Sequence, residues 1–343
     1  MRIQFNLIIR TLIPLAVSGF MTGAIAADER VSPEQLVAEM NQRIAAITQS
    51  SASNGIMPRF NQAKSLGCFA ATFKVHDGIA KEFKQGLFAQ PESYRALLRF
   101  ANASEQDDTK KDIRGLSIKV FDVKGDPLWG EIGVQDFLLN SYPALFVATP
   151  EEFLDFIRAR QEDKITGFFI NPLNPHLKSL WILFKARAVH SNPFAIRYWS
   201  TTPFRHGSDD GTAVKYSVTP CAGKSVSVEG VAGENQLRSA MKQHISQASA
   251  CLEFGVQKRT DPEAMPIEDA SVIWDEADSP FVTLATITIE DQDFDTDDAL
   301  AACEKVSFNP WQSLPEHKPL GRMNEVRRET YFKASQLRNK EAP

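Results

Sequence analysis

The sequence predicts an α+β fold built on a closed antiparallel β-barrel with flanking helices, and three observations lead there. Short runs with the two-residue period of strands gather into an early and a late group. Helical spacing fills the interval between them. The chain shows no repeat and no low-complexity linker, so these strands belong to one domain, and closing them into a barrel removes exposed edges.

The elements follow in order. Residues 1–26 hold Arg2 and Arg10 before the apolar run Leu12–Met21 and end on Ala24-Ile25-Ala26, the pattern of a secretory signal cut after Ala26; an uncleaved N-terminal anchor is the alternative. Ser32-Pro33-Glu34-Gln35 opens a helix, with Leu36, Met40, Ile44 and Ile47 on one face. Strands are expected at Cys68–Val75, Arg95–Phe100, Leu116–Phe121 and Pro143–Val147. A helix at Glu151–Arg160 and an aromatic-rich segment around Trp181–Trp199 come next. Strands resume at Ala213–Val218 and Phe281–Ile289, with Leu237, Met241, Ile245, Ala248 and Leu252 marking a helix between.

Composition excludes several functions. The 343 residues carry 38 Lys+Arg against 43 Asp+Glu, and loss of residues 1–26 would move the formal charge from −5 to −7. That balance argues against nucleic acid or an anionic membrane surface as a partner. Beyond the N-terminal segment no run is apolar enough for a membrane span, so the mature protein is expected to be exported, periplasmic or secreted, without stable membrane insertion. Cys68, Cys221, Cys251 and Cys303 contain no CxxC pair; a Cys221–Cys251 disulfide and four buried thiols both remain open.

The chemistry concentrates near the C-terminus. From Asn324 onward the chain reads as a helix that sets Arg327 and Tyr331 four residues apart on one face. A guanidinium against a phenol oxygen favours the phenolate, a hard anionic ligand suited to ferric iron. The segment Phe308-Asn-Pro-Trp311 through His317-Lys318-Pro-Leu-Gly321 to Asn324-Glu325-Val-Arg327-Arg328-Glu-Thr-Tyr331 resembles the proximal segment of small catalase-like haem proteins, with Lys318 and Glu325 where that branch has Arg. Arg59-Phe-Asn-Gln62-Ala63-Lys64, Asp112-Ile-Arg114-Gly115 and Gln135-Asp136-Phe137 through Asn140 to Phe146 extend the resemblance, which runs from about Arg59 to Arg338.

The resemblance implies an eight-stranded barrel over 58–343, preceded by a helical arm at 27–57, and haem b as cofactor. It implies Tyr331 as axial iron ligand, Arg327 beside it, and Arg59 and Arg114 as partners of the haem propionates. Phe69, Phe73, Phe137 and Phe146 would line an apolar pocket or fill the barrel. His317 is expected to make a carboxylate or backbone contact, and His76, His176, His190, His206 and His244 to be structural. The implied substrate is hydrogen peroxide or an organic hydroperoxide, and the implied assembly a monomer or simple homodimer.

The chain departs from that pattern on the distal side. Gln62 stands where the family carries its proton-shuttling His, and Ala101 where it carries a Ser. A carboxamide donates and accepts hydrogen bonds but does not exchange a proton at pH 7. The expectation is retained haem binding with reduced dismutation, Asn140 still polarising the peroxide. A non-enzymatic haem carrier or sensor is the alternative.

Overall fold

The structure is a computed structural model and describes residues 32–52, 57–224 and 226–340. The signal segment of the sequence reading lies outside these residues. Among the described residues nine strands form one antiparallel sheet: β1 (Lys64–Val75), β2 (Ser93–Asn102), β3 (Arg114–Phe121), β4 (Val134–Asn140), β5 (Tyr198–Trp199), β6 (Phe204–His206), β7 (Thr212–Pro220), β8 (Ala250–Lys258) and β9 (Val282–Ile289). The order β5-β4-β3-β2-β1-β9-β8-β7 closes on itself where Tyr198 and Trp199 pair with Val218 and Ser217. Eight strands therefore make the barrel, and β6 continues the same edge of β7, pairing at Thr212–Val214.

The period of two decides what each strand shows to either side. Phe69, Phe73, Phe100, Phe137, Tyr216 and Phe254 point inward and are completely or almost completely buried. Phe137 meets Tyr216 at 5.1 Å edge to face and Phe254 at 4.8 Å, spacings at which aromatic pairs gain beyond area burial. The barrel is a filled core, so a ligand must bind outside it. At Gly67, φ is +152° and a Cβ would stand 2.5 Å from the Phe294 ring; glycine lets β1 bulge there against the rim.

Seven α-helices occur among the described residues: α1 (Pro33–Ser50), α2 (Pro150–Gln161), α3 (Ile165–Ile170), α4 (Leu177–Ala186), α5 (Gln236–Gln247), α6 (Asp297–Lys305) and α7 (Arg322–Lys340). Leu36, Met40 and Ile44 of α1 pack with Leu154 and Ile157 of α2 and Val326 of α7. These three helices stand over the outer face of β2, β3 and β4. Cys221–Cys251 bridges the ends of β7 and β8, and Cys68–Cys303 ties β1 to α6. All four cysteines are paired, so the reading that left them as free thiols is corrected.

Two element assignments also change. Pro143–Val147 is irregular, and the fourth strand is Val134–Asn140, whose Gln135 and Asp136 are fully buried polar groups that broke the apolar pattern. Leu252 belongs to β8 instead of the preceding helix, because α5 stops at Gln247 and the apolar spacing runs on into the strand by coincidence.

Candidate functional site

Between the outer barrel wall and helices α1, α2, α4 and α7 lies an open cavity of about 1410 Å³, larger than the roughly 300–1,000 Å³ of ordinary small-molecule sites. Strand parity supplies its barrel-side wall. Arg99, Ser117 and Leu138 are cross-strand neighbours on the outward face, as are Ala101, Gly115 and Asn140 one step along. Met40, Ile44, Phe153 and Phe169 give the helix side its apolar surface.

Gln62 precedes β1 in a left-handed backbone conformation, φ +60°, that non-glycine residues seldom adopt. Its backbone NH donates to the Ala103 carbonyl at 3.1 Å, and the Arg99 Nη2 donates to its carbonyl at 3.1 Å. The side chain lies across Gly115, where a Cβ would come within 1.9 Å of Oε1, so glycine is required for the residue to lie there. Gln62 Nε2 donates to Asn140 Oδ1 at 3.0 Å. This leaves Gln62 Oε1 buried without a donor, and the Asn140 amide NH₂ beside it. The two residues read as distal are thus in contact, and none of the six histidines lines the cavity.

On the helix side, Arg327 Nη2 donates to the Tyr331 hydroxyl at 3.3 Å, with the guanidinium 5.2 Å over the phenol ring. Arg327 Nη1 donates to Thr202 Oγ1 and Asn324 Oδ1, both at 2.9 Å. Asn324, fully buried, donates to the carbonyls of Pro203 and Leu320, each at 2.9 Å. Both residues of the pair, Arg327 and Tyr331, line the cavity.

Three further cations converge on the same cavity. Arg59 donates to the carbonyls of Glu304 and Val306 at 3.2 and 2.6 Å, and Arg338 to that of Val306 at 3.3 Å. The Nε atoms of Arg59, Arg99 and Arg338 are buried with no hydrogen-bond acceptor. The carboxylate of Glu304 stands 3.8 Å from Arg59 and 3.7 Å from Arg99, an ion pair beyond hydrogen-bond distance. Burial and the neighbouring cation Arg338 drive the pKa of Arg99 down to about 10, against the pull of Glu304; burial, Arg99 and Arg338 likewise hold Arg59 below its ordinary value, again against Glu304. Such a cluster is built to receive more negative charge than it holds.

Arg114 is not among the residues that line the cavity. Gly115 faces the cavity, so its neighbour Arg114 faces the other way, fully buried beside Asn102 and Tyr198. Its Nη2 donates to the carbonyls of Lys110 and Asp108, tethering the 108–110 loop. Arg99 and Arg338 were not singled out in the sequence. The signal was present for Arg338, which follows Tyr331 by seven residues on the same helical face, and for Arg99, which pairs with Ser117 on the outward side. Phe69, Phe73 and Phe137 are barrel core, and only Phe146 of that set lines the cavity. His317 accepts a hydrogen bond from the Leu87 NH at 3.0 Å, the backbone contact expected of it, and burial pushes its pKa well down.

A filled eight-stranded barrel, with a Tyr–Arg helix and buried guanidinium groups facing its outer wall across a large cavity, defines the class: a closed antiparallel barrel with its large cavity outside the barrel, against the flanking helices. The chain belongs to the catalase family, whose model matches residues 39–338. The structure is similar to a fungal catalase (TM-score 0.66, 16% identity, 92% of this chain and 64% of that one) and to a bacterial catalase (0.63, 16%, 92% and 63%). Catalase A of Saccharomyces cerevisiae is similar at 0.64 and 17% identity, over 85% and 63%. The chain spans a little under two-thirds of the length of these proteins.

Proposed function

We propose that this chain is an exported haem protein acting on hydrogen peroxide or an organic hydroperoxide, with catalatic dismutation reduced by Gln62. One observation carries the reading: three buried guanidinium Nε atoms lack acceptors on the wall of the same cavity that presents the Tyr331 oxygen. The residues present fit haem b. Arg59, Arg99 and Arg338 would hold its two propionates, for which guanidinium groups are natural partners. Tyr331 would hold the iron through its hydroxyl oxygen, to which Arg327 donates.

Haem bound here would supply the redox chemistry that cleaves a peroxide O–O bond. The chain's own part is to bind and orient the substrate: Asn140 offers an NH₂ donor and Gln62 Oε1 an acceptor, a matched pair for one peroxide oxygen and its proton. Neither amide carries a proton from one oxygen to the other. That missing acid–base step is worth about 10²–10⁴ in rate. Both disulfides support an oxidising, extracytoplasmic location. The same all-amide distal pair favours the second reading, a haem carrier or sensor.

The test is to load the purified chain with haemin and record its spectrum, oxygen evolution from peroxide, and haem transfer to an apo-globin. A Soret band with slow transfer and weak but measurable turnover supports the enzyme. Rapid transfer without turnover supports the carrier, and no Soret band removes both.

A further inference from the structure

The outer face of α4 is apolar, and Ile165 and Ile170 of α3 adjoin it while Phe168 and Phe169 pack inward. Along α4, Leu177, Leu180, Trp181 and Phe184 occupy positions i, i+3, i+4 and i+7 of one face and are 58%, 41%, 59% and 67% exposed, while the buried side holds Ser179, Ile182 and Ala186. An ordinary surface helix places its apolar face inward. Ile170 and Leu173, before the helix, extend the patch, Leu173 at 95% exposure. Most of the exposed large hydrophobic side chains among the described residues fall between Ile165 and Val189. A contiguous apolar surface of this kind marks a docking face.

Its charges identify the occupant. The stretch 165–189 contains no Asp or Glu in a chain with an acidic balance, yet it carries Lys178, Lys185 and Arg187. Lys185 lies 4.8 Å over the Trp181 ring, and Trp181 stacks with Phe184 at 5.9 Å. Lys178 and Arg187 are ion-paired with Asp269 at 3.6 Å and Glu105 at 2.5 Å, carboxylates that come from other segments, so Lys185 beside Trp181 carries most of the positive character of the face. Aromatic and leucine side chains flanked by lysine and arginine are the composition of a helix that lies in the interface of an anionic bilayer. Two copies of this face brought together would oppose lysines to lysines.

We propose that the α3–α4 face docks the protein on an anionic phospholipid surface, with Trp181 and Phe184 seated at the level of the headgroups. Ile165, Leu180, Leu183 and Phe184 also line the cavity, so docking opens its mouth toward the acyl layer. The proposal stands whether or not the cavity binds haem. It also overrides the expectation drawn from net charge, because contact is governed by the local face.

The experiment is flotation of the full chain with phosphatidylglycerol vesicles and with phosphatidylcholine vesicles, alongside sedimentation to fix the oligomeric state. Variants are Trp181→Ser/Phe184→Ser and Lys178→Glu/Lys185→Glu, whose exposed positions leave the fold intact, as circular dichroism verifies. Binding to phosphatidylglycerol should exceed binding to phosphatidylcholine and fall at least tenfold in each double variant. The N-terminal apolar run is common to all proteins compared, so binding that survives both double substitutions comes from that run and overturns the proposal. Equal binding to the two lipids overturns it, as does a dimer that the aromatic variant splits without any change in vesicle binding.

Discussion

Replacing Arg99 by Met separates the cluster that the cavity assembles from the one that sequence alone implied. In the structure Arg99 does two things: it donates to the Gln62 carbonyl, and it holds a buried Nε without an acceptor beside Arg59 and Arg338. Removing it leaves the Gln62 carbonyl unpaired, at about 1–3 kcal/mol, and relieves like-charge repulsion in the haem-free protein, so net stability should change by less than about 2 kcal/mol. Haem affinity should fall more. One charge-assisted hydrogen bond to a propionate is worth about 1.5–3 kcal/mol, or roughly 10–150-fold in dissociation constant. Arg114→Met should behave in the opposite way. That residue holds the Lys110 and Asp108 carbonyls from a fully buried position, so its loss costs about 2–4 kcal/mol of stability with haem affinity unchanged. The assays are urea unfolding of the haem-free chains and transfer of haem to apo-globin, followed at the Soret band. If Arg114→Met sheds haem and Arg99→Met retains it, the cavity has been assigned the wrong anchors.

Gln62→His should raise oxygen release from hydrogen peroxide by about 10²–10⁴, measured with an oxygen electrode; an unchanged rate would mean that proton transfer does not limit this protein. Lys215 is buried over Trp274, and desolvation, against the pull of Asp269, lowers its pKa to about 7. In the folded state it is neutral above pH 7, whereas the unfolded chain stays protonated until about pH 10. Stability should therefore be flat below pH 7 and rise between pH 7 and 10, and Lys215→Met should remove that rise in urea titrations. Cys68→Ser/Cys303→Ser opens a loop with sequence separation 235 and should lower unfolding free energy by up to about 5 kcal/mol, more than the roughly 4 kcal/mol for Cys221–Cys251 at separation 30. Equal midpoints for the two pairs of variants in chemical denaturation would count against the loop-entropy argument.

The barrel was legible because its inward positions alternate cleanly: Phe69 and Phe73, or Leu98 and Phe100, appear at spacings of two and four between polar turns. What hid β4 was chemistry in place of pattern, since Asp136 is buried on a strand and stabilised by Lys119 at 2.7 Å. Burial nonetheless lifts Asp136 to about 6. Tyr331 with Arg327, and Gln62 with Asn140, could be placed from sequence motifs because each sits in a short, ordered segment. Arg99 and Arg338 are separated by most of the chain and meet only when the barrel closes under α7. Arg114 lies apart from this cluster because a motif fixes position along a strand, while the pleat decides which side the residue faces.

The proposed function rests on a bond proposed between the Tyr331 oxygen and haem iron, and resonance Raman of the haem-loaded ferric protein reads it directly. It predicts tyrosinate modes, enhanced on excitation into the phenolate-to-iron charge-transfer band, that vanish in Tyr331→Phe. A spectrum without those modes, or one that the substitution leaves unaltered, would contradict it.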